Sequence, residues 1–212
     1  MRTFFQIWIV SDCDSKKGAV WRYEYMQKLL AAGLDIDLYG ECFGNEYLVQ
    51  KEDKESISNL IKKYRFYLSF ENSLHCKDYI TEKFFENALK NDAVPIVWGP
   101  SKKDVNAVAP LDSFIHSEDF SSHESLVKYL QHLQKDRKAY RRYFRWREGK
   151  YMTNDKMNTK IKSRYKDINI PPQMHGFENL CNKLTRGKLK RKTVRTYTEF
   201  LDEDSSECLD YY

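Results

Sequence analysis

The stretch FENSLHCKDYITEKFFENAL, residues 70 to 89, sets a tyrosine, a carboxylate and an ammonium side by side where an apolar run gives way to helical spacing. On a wheel turning about 100° per residue, Phe84, Phe85, Ala88 and Leu89 share one stripe, and Tyr79, Glu82, Lys83, Glu86 and Lys90 share the other. A helix that packs through its phenylalanines offers its first turn outward. Asp78 or Thr81 is the expected N-cap, which leaves backbone N–H groups and the positive end of the helix dipole nearby. A phosphate suits that position, and Lys83 adds a full charge. Glu82 is an acceptor only, so it suits two vicinal hydroxyls such as those of a ribose. Together they match the two ends of a nucleoside diphosphate. A Glu-Lys pair at a helix start is also common as plain solvated surface, and the spacing alone leaves both readings open.

The elements that must carry these residues follow from the hydrophobic pattern. Residues 4 to 10 read as a buried strand, and Trp21 to Gly33 has helical spacing with a glycine where a helix would stop. Residues 36 to 40 read as a second strand, 52 to 63 as a polar helix or loop, and 65 to 70 as a third strand. A helix over 80 to 91 and a fourth strand over 93 to 99 come next, broken at Gly99-Pro100. A short strand at 113 to 116 precedes helices near 122 to 134 and 136 to 147. Strands alternating with helices imply an α/β fold with a parallel sheet and right-handed crossovers. Ligands of such sheets bind at the carboxyl ends of the strands, and Phe70 to Leu89 begins at one of them.

The chain has 212 residues, is 41% hydrophobic and carries a formal charge of +5. That is enough apolar material for a sizeable core, and the mild basic excess fits an anionic ligand as well as it fits surface lysine. No apolar run reaches the length of about eighteen residues that a membrane-spanning helix needs. Beyond Gly149 the strand-helix pattern weakens. The expected division is a nucleotide-binding domain over 1-149, a helical extension over 150-198 that packs back on it, and an acidic, flexible tail over 199-212. Residues 183 to 195 hold seven Lys or Arg and no acid, and 199 to 210 hold six Asp or Glu. Segregation of this kind reads chiefly as solvated surface.

Other motifs compete for attention. The Asp-x-Asp of residues 12 to 14 has a form that can hold a divalent metal on a nucleotide sugar, but a loop or cap role is the favoured reading. Tyr140, Tyr143 and Phe144 within YRRYFRWR interleave with arginines as in single-strand nucleic-acid binders, yet their spacing is that of a buried helix face. Ser101 opens a turn or helix, where it either caps or offers a hydrogen bond to the ligand. His75 lies near enough to the central loop to be a candidate contact to a sugar. Cys13, Cys42, Cys76, Cys181 and Cys208 fit neither a zinc spacing nor a dense disulfide framework, and the odd count leaves at least one thiol unpaired within the chain.

RFYLSFENSLHCKDYITEKFFENALKNDAVPIVWGPS closely resembles the α1,3-fucosyltransferases, glycosyltransferase family 10. Their signature runs FENS, a short loop, DYITEK, and a strand ending in Gly-Pro-Ser. The likeness continues upstream through WRYEYMQKLL and DIDLYG and downstream through SFIHSEDF, LVKYLQHL and YRRYFRWRE, and fades after Gly149. One residue more than usual separates Asn72 from Asp78. The resemblance implies two Rossmann-like halves in a GT-B glycosyltransferase, of which this chain looks like the C-terminal, donor-binding half. It implies transfer of L-fucose from GDP-fucose to N-acetylglucosamine of a protein or lipid glycan, in α1,3 linkage and with inversion.

The donor-site residues implied by the family are Arg22, Asn72, Tyr79, Glu82 and Lys83, with Ser101 as a further candidate. Arg22 and Lys83 would serve the pyrophosphate and Glu82 the ribose. The general base of the family belongs to the acceptor-binding half, so this chain is expected to hold donor without completing transfer. Its alternatives are a donor-binding pseudoenzyme or a basic nucleic-acid-binding module. No firmly bound cofactor and no protein-held metal is expected, with Mn²⁺ assisting only through the diphosphate. The implied setting is the lumenal side of the Golgi membrane, through an anchor expected outside this chain. Of the cysteine pair the family carries near its C-terminus, only Cys181 is matched, so that disulfide is expected to be absent or to use Cys208.

Overall fold

The computed structural model describes residues 4–43, 54–75 and 79–148. The expected extension over 150–198, the tail over 199–212, and Cys76, Asp78, Cys181 and Cys208 lie outside these residues. Five strands, β1 (Phe4–Ile9), β2 (Asp37–Tyr39), β3 (Tyr64–Phe70), β4 (Val94–Trp98) and β5 (Ile115–His116), form one parallel sheet in the order β2-β1-β3-β4-β5. The α/β reading of the hydrophobic pattern is therefore borne out. Between β1 and β3 the strand order changes direction, which opens a crevice at their carboxyl ends.

The period of two along each strand decides which helix covers which face. Trp8, Val10, Phe66, Leu68, Phe70, Ile96 and Trp98 pack against Met26 and Leu29 of α1 (Lys17–Ala31) and against Leu126, Leu130 and Leu133 of α4 (His123–Lys135). Alternate residues serve the opposite face. Ile7 and Tyr67 meet Ile61 of α2 (Lys54–Ile61) and Ala88, and Val97 meets Phe84 and Val105 of α3 (Lys102–Val108). Both faces are thus buried, as parallel sheets require.

Helix α1 starts at Lys17, before the expected Trp21, and stops where expected. Gly33 (φ +87°) donates to Leu30 O and Leu34 donates to Leu29 O, the paired bonds of a Schellman ending. Helix α4 opens on a reciprocal pair of bonds between Ser122 and Ser125. It is followed by α5 (Arg137–Arg141) and a 3-10 turn over Arg142–Glu148, where one continuous helix over 136 to 147 was expected. Tyr140, Tyr143 and Phe144 join the core, while Arg141, Arg142 and Arg145 are exposed. A disulfide joins Cys13 to Cys42 and ties the turn after β1 to the 3-10 turn after β2. Sequence spacing had not indicated this pair. Among the described residues, no helix is long and apolar enough to cross a membrane.

The segment expected to be a regular helix over 80 to 91 departs from that expectation. Lys83–Ala88 is a π-helix, continued by a 3-10 turn over Leu89–Asn91. The cause lies in side chains that take up its carbonyl groups. Ser69 Oγ donates to Lys83 O at 2.9 Å, and the buried Asn91 amide donates to Glu86 O and Asn87 O, both at 3.0 Å. Single-turn π geometry recurs at functional sites.

Candidate functional site

The carboxyl ends of β1 and β3 hold Asp12, Glu71 and Asn72, and α1 brings Arg22 up beneath them. Arg22 is only 2% exposed. Its Nη1 donates to Phe70 O at 3.0 Å and to Asn72 Oδ1 at 2.5 Å, and its Nη2 donates to Asp12 O at 2.5 Å. The Nε, also buried, has no hydrogen-bond partner among the described residues. Burial pulls the guanidinium below its ordinary value, and the Asp12 and Glu71 carboxylates oppose that shift. Asn72 completes the bridge by donating from Nδ2 to Asp12 Oδ2 at 3.1 Å. Arg22 therefore sits under the crevice as a clamp on two strand ends.

Asp12, the first aspartate of the Asp-x-Asp, is engaged by its own turn. Its Oδ1 accepts from Ser15 N at 3.1 Å and its Oδ2 from Ser15 Oγ at 2.7 Å, a local turn that holds its carboxyl below the usual range. Among the described residues no cluster of His, Cys, Asp and Glu is placed to hold a metal ion.

The second cluster lies where β3 gives way to the π-helix. Glu71 is 1% exposed, and its Oε1 accepts from Thr81 N and Thr81 Oγ1, each at 2.8 Å. Its Oε2 lies 3.0 Å from Lys83 Nζ. The same ammonium reaches Glu82 Oε1 at 3.1 Å and Thr81 Oγ1 at 3.0 Å. Burial lowers the Lys83 pKa, but the Glu71 and Glu82 carboxylates together raise it and the net direction is up. Burial raises that of Glu82, yet Lys83 carries the net direction down. Tyr79 is half-buried, and its phenol is pushed up by that burial, with Lys83 opposing and Glu71 and Glu82 adding to the shift.

Of the two expected N-caps, Thr81 turns its hydroxyl to Glu71 instead. Asp78 lies outside the described residues, and the residue preceding the π-helix is Glu82, which makes no side-chain cap. The Thr81 N–H points instead at the protein's own Glu71, so a carboxylate already occupies the place assigned to an incoming phosphate. The sequence reading named Glu71 in its motif but gave it no role. A carboxylate directly after the buried end of β3 was the available signal, because such a residue is buried only when paired.

The loop between the clusters is pinned to β4. Glu71 N donates to Trp98 O at 3.1 Å and His75 N to Gly99 O at 2.6 Å. A Cβ on Gly99 (φ +115°) would lie 2.8 Å from Ser73 O and 3.1 Å from Glu71 Cβ, so the loop lies directly on this glycine. His75 Nε2 pairs with Glu118 Oε1 at 2.8 Å rather than pointing free into the crevice. Ser101 caps α3, accepting from Asp104 N at 3.2 Å and donating to Asp104 Oδ2 at 2.7 Å. Arg22 and Asn72 thus meet in one group, Tyr79, Glu82 and Lys83 in a second that is electrostatically coupled to it, and Ser101 serves its own helix.

The family profile described as "Glycosyltransferase family 10 (fucosyltransferase) C-term" matches residues 1–200. The chain belongs to glycosyltransferase family 10. Among its family-10 relatives, the human 4-galactosyl-N-acetylglucosaminide 3-alpha-L-fucosyltransferase FUT6 is 44% identical over 147 residues, 69% of this chain and 38% of the relative. The glycoprotein 3-alpha-L-fucosyltransferase A of Drosophila melanogaster is 41% identical over 140 residues, 66% of this chain and 27% of the relative. A crystal structure of an alpha1,3-fucosyltransferase with GDP-fucose superposes with a TM-score of 0.53 at 22% identity, covering 67% of this chain and 38% of that one. The same enzyme class with GDP gives a TM-score of 0.54 at equal identity and coverage. These structural neighbours carry the family-10 fold. The chain spans well under half the length of the curated relatives it matches, 38% of FUT6.

Proposed function

We propose that this chain supplies the donor-binding site of an α1,3-fucosyltransferase, holding GDP-fucose for inverting transfer to N-acetylglucosamine of a protein or lipid glycan. The observation that carries the reading is the Lys83–Glu82 pair at 3.1 Å beside the sheet's switch point, in a chain of the fucosyltransferase family. Lys83 is assigned to the pyrophosphate and Glu82 to the ribose hydroxyls, with Tyr79 flanking both. Arg22 and Asn72 support from below, where the buried positive charge faces the strand ends. Ser101 is left to its cap.

Departure of GDP builds negative charge on the β-phosphate while the sugar gains oxocarbenium character. Lys83 is then a preorganised electrostatic partner, worth about 3 kcal/mol by comparison with other well-placed donors. The acceptor hydroxyl needs a base, and the exposed carboxylates of this site are engaged, Asp12 by Ser15 and Asn72, Glu82 by Lys83. We assign the base to another part of the full-length enzyme. Any stimulation by Mn²⁺ is assigned to the diphosphate. A Golgi-lumenal setting is in keeping with the Cys13–Cys42 disulfide, which belongs to an oxidising compartment.

Calorimetric titration of the 212-residue chain with GDP and with UDP tests the assignment. GDP is expected to bind in the micromolar range and UDP more weakly, with Lys83→Ala and Glu82→Ala each losing about tenfold or more, as for a lost charge-assisted hydrogen bond. Unchanged GDP affinity in both variants would sink the site.

A further inference from the structure

Lys83 is 17% exposed, a position in which a lone ammonium would be costly to keep charged. Its N–H donors are met by Glu71 Oε2, Glu82 Oε1 and Thr81 Oγ1, which is the full capacity of an ammonium group. The two carboxylates are not equivalent. Glu71 is buried and further fixed by the N–H and hydroxyl of Thr81, and its own backbone is tied to β4 through Trp98 O. Glu82 is 60% exposed.

Breaking an exposed pair costs little, because water re-solvates both partners. Breaking the buried pair strands a charge in a dry place. An anion arriving at Lys83 therefore competes with Glu82 and not with Glu71. Charge balance agrees: Glu71 and Glu82 together outnumber Lys83, so a diphosphate approaching this ammonium is repelled until one carboxylate moves aside.

We propose that Glu71 is the positioning residue of this site, the permanent partner that keeps Lys83 charged and aimed, while a bound diphosphate displaces Glu82 from the ammonium and so releases it toward the ribose. The inference rests on the donor-site reading above and deepens it. Lys83 then changes one partner on binding and keeps another, and Glu82 trades an ammonium for a diol in the same event.

The test uses the full chain, GDP as the probe, and the variants Glu71→Gln, Lys83→Ala and the double variant. Titrations at pH 7 and pH 9 are paired with a urea-unfolding check that each variant is folded. Glu71→Gln is expected to weaken GDP binding by about tenfold or more at pH 7, as for a buried charge left unmatched, and to weaken it further at pH 9 as Lys83 loses its proton. Wild-type affinity is expected to be the same at both pH values. Because Glu71 acts through Lys83, the double variant is expected to bind as Lys83→Ala alone. Losses that add in the double variant, or a Glu71→Gln variant that binds like the wild type, overturn the inference.

A ligand-free measurement separates the two readings. The ¹⁵N-lysine NMR titration of Lys83 is expected to fall in Glu71→Gln relative to the wild type, and an unchanged titration overturns the inference. Absence of GDP binding by the wild type would overturn the donor-site reading, while this titration would still decide whether Glu71 holds Lys83.

Discussion

Arg22 Nη1 donates to Asn72 Oδ1 at 2.5 Å across a separation of 50 residues, and so joins the first helix of the fold to the turn that follows its central strand. The same guanidinium satisfies Phe70 O and Asp12 O. Arg22→Ala strands these acceptors in a buried place, and a loss of about 2–4 kcal/mol in urea unfolding is expected. Arg22→Lys keeps the charge but not the planar fork, so it should recover less than half of that loss. A cost below about 1 kcal/mol for the alanine variant would show that the clamp is not structural.

Gly99, directly after β4, lies against the loop that carries Asn72. Gly99→Ala must relieve a 2.8 Å contact with Ser73 O from a backbone at φ +115°. The expected cost is about 1–3 kcal/mol, accompanied by loss of GDP affinity because Glu71 Cβ is the next atom in the way. Thermal unfolding and calorimetry read the two effects separately.

The Cys13–Cys42 bridge spans a sequence separation of 29. Replacing both cysteines by serine is expected to lower stability by about 3–4 kcal/mol on loop-closure grounds. Reductant should lower the unfolding midpoint of the wild type and leave that of the double-serine variant unchanged.

The pH dependence of the Lys83 cluster has a definite sign. Lys83 has a folded pKa above its ordinary 10.5, so its contribution is fully present below about that pH and is lost as pH climbs through the raised value. Glu82 is shifted below its ordinary 4.5, so its contribution is present above about that pH and is lost as pH falls through the lowered value. The stability difference between wild type and Lys83→Ala is therefore expected to be flat from about pH 5 to pH 10 and to decline on both sides. Urea midpoints across pH 3 to 11 check this. A difference that keeps growing above pH 10 contradicts it.

The parallel sheet was legible because strand length, apolar runs and helical spacing are local properties of the chain. So was the inward turn of Tyr140 and Phe144, which needs only a helical period. The π-helix was not legible, because it depends on Ser69 and Asn91 reaching carbonyls of Lys83, Glu86 and Asn87, contacts that a wheel drawn on one segment does not contain. Glu71 was missed for a related reason. Its partners Thr81 and Lys83 lie only a few residues on, but what gives the carboxylate its role is burial, set by β4 and Gly99. Arg22 was found by motif, but its burial was not legible, since nothing in WRYEYMQKLL says whether the guanidinium faces a ligand or the ends of two strands. The disulfide joins loops that become neighbours only when β2 pairs with β1.

The neighbouring placement of β1 and β3, with β2 sent to the outer edge, makes the Asp12–Asn72 contact at the crevice a product of non-local pairing. Asp12 and Asn72 lie 60 residues apart and meet only when β1 and β3 pair, so this contact, unlike the local Glu71–Lys83 pair, has no partial version in a chain emerging residue by residue. On the donor-site reading, nucleotide favours chains that have completed their central pairing, and by mass action it withdraws those chains from the unfolded pool. On that reading a donor nucleotide would act as an inspector of the chain's own fold, retaining correctly threaded molecules and leaving the rest open to degradation.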